Sequence, residues 1–476
     1  MTRRVDALVV GSGPGGAVTA RMLAEAGLEV LVVEEGDWVE PGSVEPYSVE
    51  QMQRQYRGGG LTVALGRPSI AYTEGRGAGG GSEVNSGLYH RPSAQLLADW
   101  SRAYRIEGLT PSTLERHSAF VEKELSVTRQ PDGRLPESSE VLRRGAEALG
   151  WSGLDVPRWV RYREVEGAVV AERQTMTRTY LPRAIAAGAE LWTSTRASKL
   201  VLRGARATAV ELVRRSGPRE WREQVSASAV FVCAGATQTP ALLQRSGLRR
   251  NVGANLSVHP TVKVVAEFDH EVNRPKDLPT YQVKEFGSWL SFGGSASRRA
   301  LIALSLADSW PAFGAAIDRW RCQSVYYAAI QSVGRGTVRA LPGFRDPLVT
   351  YRLTRADRDR LRSALARLIH LMLAAGAVAV YPSYAGAGVV RSPRDAAEAL
   401  DGFSTSAASL MTVHLTGTAP MGEDTGSAAV DSFGRLHGLD NGYVNDASML
   451  PWAPGINPQG TLMAVAHRNV EAFLRP

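Results

Sequence analysis

Lysine and cysteine are scarce in this chain of 476 residues. The lysines are Lys123, Lys199, Lys263, Lys276 and Lys284, so most of the positive charge behind the net +8 is arginine, scattered singly. No basic stripe or nucleic-acid reader motif accompanies it, and no nucleic-acid partner is expected. Cys233 and Cys322 are the only cysteines. Two cysteines exclude a disulfide framework and a cysteine-rich metal site, and no metal is expected. Cys233 lies in the apolar run Val230-Phe-Val-Cys-Ala234, where a small buried hydrophobe is the plain reading. No uninterrupted apolar stretch is long enough to span a bilayer. Residues 1–4 lead straight into a strand, which leaves no room for a signal peptide. The apolar run after Arg3-Arg4 is interrupted by a glycine loop, unlike a twin-arginine leader. These absences lead to the expectation of a cytoplasmic protein with no membrane partner.

Glycine is abundant, at 48 residues, and its placement carries information. The apolar run Val5–Val10 enters the turn Gly11-Ser12-Gly13-Pro14-Gly15-Gly16. A helix is expected over Ala17–Ala26, ended by Gly27, and a second strand over Leu28–Val33. This is a βαβ unit with a dinucleotide fingerprint. Gly11 permits the tight turn, Gly13 lets backbone approach a pyrophosphate, and Gly16 lets helix and strand pack closely. The helix N-terminus offers N–H groups to phosphate. Glu34, at the end of the second strand, is placed to accept ribose hydroxyls and favours FAD or NAD over NADP.

The length suggests two domains. Residues 37–90 are glycine-rich, with Arg57-Gly-Gly-Gly-Leu61 and Gly75-Arg-Gly-Ala-Gly-Gly-Gly-Ser82. Residues 91–190 look mostly helical, and Glu190–Val213 looks like a hairpin turning at Gly204. The runs Thr261–Phe268 and Ser324–Gln331 suggest an antiparallel sheet, Arg355–Ala375 a long helix, and Thr461–Leu474 a last helix. The fold class expected is α/β with α+β elements. A Rossmann-type domain formed by 1–90, 191–260 and 406–476 is interleaved with a substrate domain formed by 91–190 and 261–405.

Near the C-terminus, His414 opens His-Leu-Thr-Gly-Thr and Asn457 sits in Pro-Gly-Ile-Asn-Pro-Gln-Gly-Thr. A lone histidine is ordinarily structural, and an asparagine before proline is ordinarily a turn residue. Both lie in Gly/Thr/Pro-rich segments and not on an apolar periodic face, which favours function.

With these segments in order, the chain resembles the glucose–methanol–choline (GMC) oxidoreductases. Gly75-Arg76-x-x-Gly79-Gly80-x-Ser82-x-x-Asn85 is similar to that family's flavin-contacting loop. Gly235-Ala236-x-x-Thr239-Pro240-x-Leu242-Leu243-x-x-Ser246-Gly247 is similar to its second signature, with Arg249 where glycine is usual. Gly253-x-Asn255-Leu256-x-x-His259-Pro260, Val444-Asn-Asp446-Ala447-Ser448 and Asn457-Pro458-Gln459-Gly460-Thr461 resemble its later segments. The resemblance implies FAD contacts at Arg76, Gly80, Gly81, Asn85 and Leu88, at Ala197 and Ala234, and at Asp446, Ala447, Pro458 and Gln459. These join Gly11, Ser12, Gly13, Pro14, Gly15, Gly16 and Glu34. Val84 stands where some relatives attach FAD through histidine, so the FAD is expected to be noncovalent.

The resemblance also implies that His414 and Asn457 are the catalytic pair. Alcohol oxidation removes a hydroxyl proton and a hydride from one carbinol, and imidazole is suited to take the proton near neutral pH. Asn457 is expected to hold the hydroxyl oxygen. His259, His437 and His467 are alternative histidines, with His259 read as structural and His467 as pointing away. Trp289, Trp310, Trp320, Tyr326 and Tyr327 are candidates for the pocket lining. The partners implied are a small-molecule alcohol and oxygen or another electron acceptor. The alcohol is a sugar or aminosugar, or a lipid-like, terpenoid or aryl alcohol. Tyr180-Leu181-Pro182-Arg183 is present without the cysteines that precede it in some bacterial relatives, so their substrates do not transfer. Rival readings are an FAD-containing cyanohydrin lyase and a noncatalytic flavin-binding protein. The oligomeric state is not readable.

Overall fold

The computed structural model describes residues 3–131, 133–165, 168–274 and 277–475. Val5, Ala7, Leu8, Val9 and Val10 of the strand Arg3–Val10 are all buried. A strand apolar on both faces belongs in the middle of a covered parallel sheet. This one lies between Val30–Val33 and Arg219–Val232, parallel to both, with Val9 level with Val32 and Phe231. The sheet order is Thr195–Arg203, Arg206–Ser216, Arg219–Val232, Arg3–Val10, Val30–Val33, Glu190–Trp192. Gly442–Val444 adds in parallel to Arg219–Val232. The hairpin at Gly204 is confirmed, with Arg203 opposite Arg206.

Pro14 occupies the first turn of the helix Pro14–Glu25, where its missing N–H costs nothing. Gly13 caps that helix with extended backbone and no side-chain hydrogen bond, so the end is not closed off by its own cap. A Cβ on Gly16 would stand 1.9 Å from the Gly11 carbonyl oxygen. That close approach is the reason for glycine there.

The second sheet has nine strands, antiparallel over most of its width. Its order is Thr62–Ala64, Ile70–Tyr72, Met411–Thr412, Thr261–Glu267, Gln323–Ile330, Leu290–Gly294, Tyr281–Val283, Gly153–Asp155. Ala379–Pro382 pairs additionally with Thr261–Glu267. The helix Arg355–Ala374 covers it, opened by a reciprocal capping box between Thr354 and Asp357.

The domain boundaries differ from those expected. Thr62–Ala64, Ile70–Tyr72 and Met411–Thr412 belong to the second sheet although they fall within 1–90 and 406–476. These are two- and three-residue strands, too short to display a period. Conversely, the helices Pro111–Glu124 and Tyr180–Ala186 pack on the nucleotide-fold side, against Gln459–Leu474 and Pro14–Glu25. Arg21 bonds Glu124 at 2.7 Å and Arg116 bonds Glu471 at 2.9 Å. Residues 91–190 also contain strands, among them Arg158–Val165 and Ala168–Arg173. The helical stretch Arg299–Cys322 is long and apolar enough by length and composition to cross a membrane, although Ser305, Asp308 and Ser309 interrupt its apolar run. It is built from several short helices, and Ile302, Leu306 and Phe313 pack into the core of the second sheet.

Outside the cavity, His117 and His467 meet Nδ1 to Nδ1 at 2.8 Å between the helices Pro111–Glu124 and Gln459–Leu474. Burial pushes each imidazolium down to about 4. Both folded values lie below the free value of about 6.5, so between about 6.5 and 4 the unfolded chain binds more protons. The stability conferred by the neutral pair is complete above about 6.5 and falls as the pH drops through that window. Urea midpoints measured from pH 7 down to 4.5 should fall, and His117→Gln should flatten the slope. An unchanged slope in His117→Gln would show that the pair does not drive it.

Candidate active site

A cavity of about 440 Å³ runs between the two sheets. Gly11, Gly13, Pro14 and Gly15 with Glu34 line it from the first sheet, and His414, next to the second-sheet strand Met411–Thr412, and Asn457 line it as well. Glu34 is buried; its Oε2 accepts from the Ser12 amide at 3.1 Å and hydroxyl at 2.7 Å, and its Oε1 from the Gly36 amide at 2.9 Å. Burial pushes this carboxyl up, and the three hydrogen bonds oppose that shift. A carboxylate has about four lone-pair sites, so acceptor capacity remains for ribose hydroxyls. A Cβ on Gly15 would lie 2.0 Å from the Asn445 carbonyl oxygen, and one on Gly80 would lie 2.8 Å from Gly13 Cα. Glycine there keeps backbone against backbone around the phosphate end.

The other expected cofactor contacts divide into two groups. Gly81, Asn85, Leu88, Ala197, Ala234 and Ala447 line the cavity, as do Asp446, Pro458 and Gln459. Ser12, Gly16 and Arg76 do not. Ser12 supports Glu34, Gly16 packs on Gly11, and Arg76 is half-buried with its Nε lacking a hydrogen-bond partner. Asp446 already accepts from the Gly235 amide at 2.7 Å and the Thr239 hydroxyl at 2.5 Å. It therefore fixes the entry of the helix Gly235–Arg245 as well as facing the cavity. Asn85 donates to Gln459 Oε1 at 2.7 Å, tying the glycine loop to the C-terminal segment. Val84 lines the cavity and offers no nucleophile. A glycine cradle, an available acidic acceptor and a long channel fit FAD held without a covalent bond.

Sequence reasoning missed the charged part of this channel. Arg57 bonds Glu35 at 2.8 Å and Asp346 at 2.9 Å, and lies 3.5 Å from Glu74. Burial alone would raise Glu35, but Arg57 and Arg345 hold it down to about 2. Arg196 and Arg245 also line the channel. The stretch Arg57-Gly-Gly-Gly was noticed; its partners lie too far away in sequence to be paired with it.

His414 Nε2 and Asn457 Nδ2 are 3.4 Å apart. His259, expected to be structural, touches His414 Nδ1 to Nδ1 at 2.8 Å with the rings at 87°. The Gly455 amide donates to His259 Nε2 at 2.8 Å. A backbone N–H can only donate, so neutral His259 carries its proton on Nδ1 and gives it to His414 Nδ1. Neutral His414 then carries its own proton on Nε2, donor against donor with the Asn457 amide at 3.4 Å, so that contact is no hydrogen bond in this tautomer. Gln282 joins the group, donating to Tyr327 at 3.0 Å and to Asn457 Oδ1 at 3.4 Å. Lys284, with His259, His414, Asn457 and Gln282, lines a side cavity of about 20 Å³. Burial pushes Lys284 down to about 8. Burial, then the Lys284 and His90 cations, push His414 down to about 3.

Of the expected aromatics, Tyr327 alone lines the main cavity. Tyr326 points to the opposite face and donates to the Ser138 carbonyl at 2.8 Å, and Trp310 is exposed. His437 bonds the Gly422 carbonyl at 2.9 Å, away from the site.

Family models for GMC oxidoreductase match residues 52–261 and 332–466, and a model for an FAD binding domain matches 4–50. A GMC-type oxidoreductase of Sinorhizobium fredii is 40% identical over 98% of this chain and 94% of its own length. The long-chain-alcohol oxidase FAO3 of Arabidopsis thaliana is 26% identical over 98% of this chain and 67% of its own. The solved pyridoxine 4-oxidase from Mesorbium loti is similar in fold, with a TM-score of 0.73 at 20% identity over 98% of this chain and 99% of that one. The glycine turn, the buried Glu34 and the paired His414 and Asn457 thus lie on a chain that belongs to the GMC oxidoreductase family, as an FAD-dependent oxidoreductase acting on CH–OH groups.

Proposed function

We propose that this enzyme oxidises an alcohol with an apolar body to its aldehyde or ketone, with His414 and Asn457 holding the hydroxyl and oxygen as the final acceptor. The observation that carries this reading is the meeting of His414 and Asn457 in the cavity that Glu34 and the glycine turn also line. Leu278, Pro279, Ala296, Ala329, Met411 and Val413 line the cavity, and its carboxylates Glu34, Glu35, Glu74 and Asp446 are already bonded to Ser12, to Arg57 or to Gly235 and Thr239. A sugar would leave most of its hydroxyls unpaired against such side chains, which is costly. The Arabidopsis relative is likewise a long-chain-alcohol oxidase by name.

Bound FAD supplies the hydride acceptor. Asn457 donates to the hydroxyl oxygen and orients the carbinol. His414 takes the hydroxyl proton at Nε2 in its other tautomer, reached when its Nε2 proton is lost to water, the Nδ1 proton passes from His259 to His414, and His259 takes a proton from water at Nε2. That reversal sets His259 Nε2–H against the Gly455 amide and costs about 1–3 kcal/mol. Turnover at 1–10³ per second corresponds to a barrier of roughly 13–17 kcal/mol, so the reversal is a minor part of it.

The protein should purify yellow, with FAD released by acid precipitation, because Val84 cannot hold it covalently. Glu34→Ala should lower FAD affinity about ten- to a hundred-fold, the loss of a charge-assisted bond, without slowing the flavin-saturated enzyme. Flavin titration with fluorescence detection measures this, and unchanged affinity would remove Glu34 from the ribose site.

His414→Ala should retain FAD and slow anaerobic flavin reduction by alcohol about 10²–10⁴-fold at saturating substrate, with Asn457→Ala slower by a smaller factor. A defect confined to reoxidation by air would reassign His414. Because His414 stays neutral down to about 3, the limiting reduction rate should show no break between roughly pH 5 and 7. A break near 6.5 that disappears in His414→Ala would contradict the buried, neutral imidazole.

A further inference from the structure

The sheet face that floors the cavity continues past its mouth. By register, Ala329 lies level with Thr261, Thr261 with Met411, Met411 with Ala71, and Ala71 with Val63. Residues level with one another on neighbouring strands present side chains on one face. Ala329, Thr261 and Met411 line the cavity, whereas Ala71 and Val63 are exposed on the last two strands of the sheet. Neighbouring strands lie about 4.8 Å apart, so Val63 is about 10 Å beyond Met411. Val413, at the cavity wall, is 53% exposed and marks the mouth. Leu61 and Leu65 flank Val63 and are 91% and 49% exposed.

Isolated exposed aliphatics need no explanation. A run of them on an edge strand is an association hazard that proteins ordinarily blunt with charge. The row from Ala329 to Val63 has no ionisable side chain, so it fits a hydrocarbon better than a sugar or an ion. Its continuity with the catalytic cavity indicates which hydrocarbon would lie there.

We propose that this face is the tail groove of the alcohol site. The hydroxyl sits at His414 and Asn457, and an extended aliphatic tail leaves the cavity past Met411 and Val413 and lies across Ala71 and Val63. The inference rests on the alcohol-oxidase reading and extends it to long straight-chain alcohols.

The test uses the FAD-loaded enzyme, with Val63→Asp to charge the groove and Ala71→Leu to enlarge its apolar face. Both sites are exposed and outside the catalytic group. Anaerobic flavin reduction at limiting alcohol is compared from butanol to dodecanol. In the wild type the rate constant should rise, by up to about fourfold per methylene buried. Val63→Asp should leave butanol unchanged and lower dodecanol about tenfold, and Ala71→Leu should raise the dodecanol-to-butanol ratio. Dodecanamide and butanamide, which carry no carbinol to oxidise, provide a second readout through perturbation of the flavin spectrum. The same pattern in their dissociation constants would support the groove even if no alcohol bleached the flavin, and in that case only the oxidase reading would fail. Equal effects of Val63→Asp on short and long chains, in rates and amide binding alike, would overturn the groove. So would a variant that altered only sedimentation, pointing to a second copy, or only vesicle binding, pointing to a lipid surface.

Discussion

Contact between backbone and backbone, with no room for a Cβ, is the constraint on which the rest of this enzyme depends. At Gly15 and Gly16 a methyl group would stand 2.0 Å from the Asn445 oxygen and 1.9 Å from the Gly11 oxygen. The first helix can reach the sheet only because both positions are bare. Its N-terminus is thereby brought against the same end of the sheet as Glu34 and Asp446, which face one channel. The lengths of the two cofactor-facing loops are then fixed by what must meet there. Gly80 lies against Gly13 from one side and Asn445 against Gly15 from the other.

Where function depends on local backbone geometry, the sequence was legible. The turn 11–16, the acid at 34 and the strands around them follow from spacing alone, because each glycine answers a nearby steric demand. His414 and Asn457 were legible through their unusual settings, and they do meet. What escaped was long-range pairing. Arg57 with Asp346, His259 with His414 and Asn85 with Gln459 join residues separated by 289, 155 and 374 positions, and nothing local marks them as pairs. The edges of the second sheet escaped for another reason. Strands of two or three residues carry no measurable alternation, so Thr62–Ala64 and Met411–Thr412 are positioned by their neighbours and not by their own composition.

The catalytic end is arranged by burial more than by charge pairing. His259 and His414 sit ring to ring without a carboxylate bonded to either among the described residues, and the Lys284 cation is close enough to depress both. An imidazole paired with a carboxylate would be a stronger base, but it would stand partly protonated near neutral pH. Here the pair is kept neutral, and direction along it comes from a single backbone amide, that of Gly455. Since Gly455 and Asn457 share one short segment, the element that carries Asn457 also sets the proton order of the histidines.

The central strand Arg3–Val10 has its parallel partner at Arg219–Val232, and that strand in turn has Gly442–Val444. During synthesis, the first βαβ unit therefore emerges long before the strands that complete its sheet. The cradle stays open on one side until the last few dozen residues leave the ribosome, because Asp446, Asn457 and Gln459 come from them. Closing the cofactor cleft therefore requires residues 442–459 to have joined the first βαβ unit, so its two halves are coupled through the whole length of the chain between them.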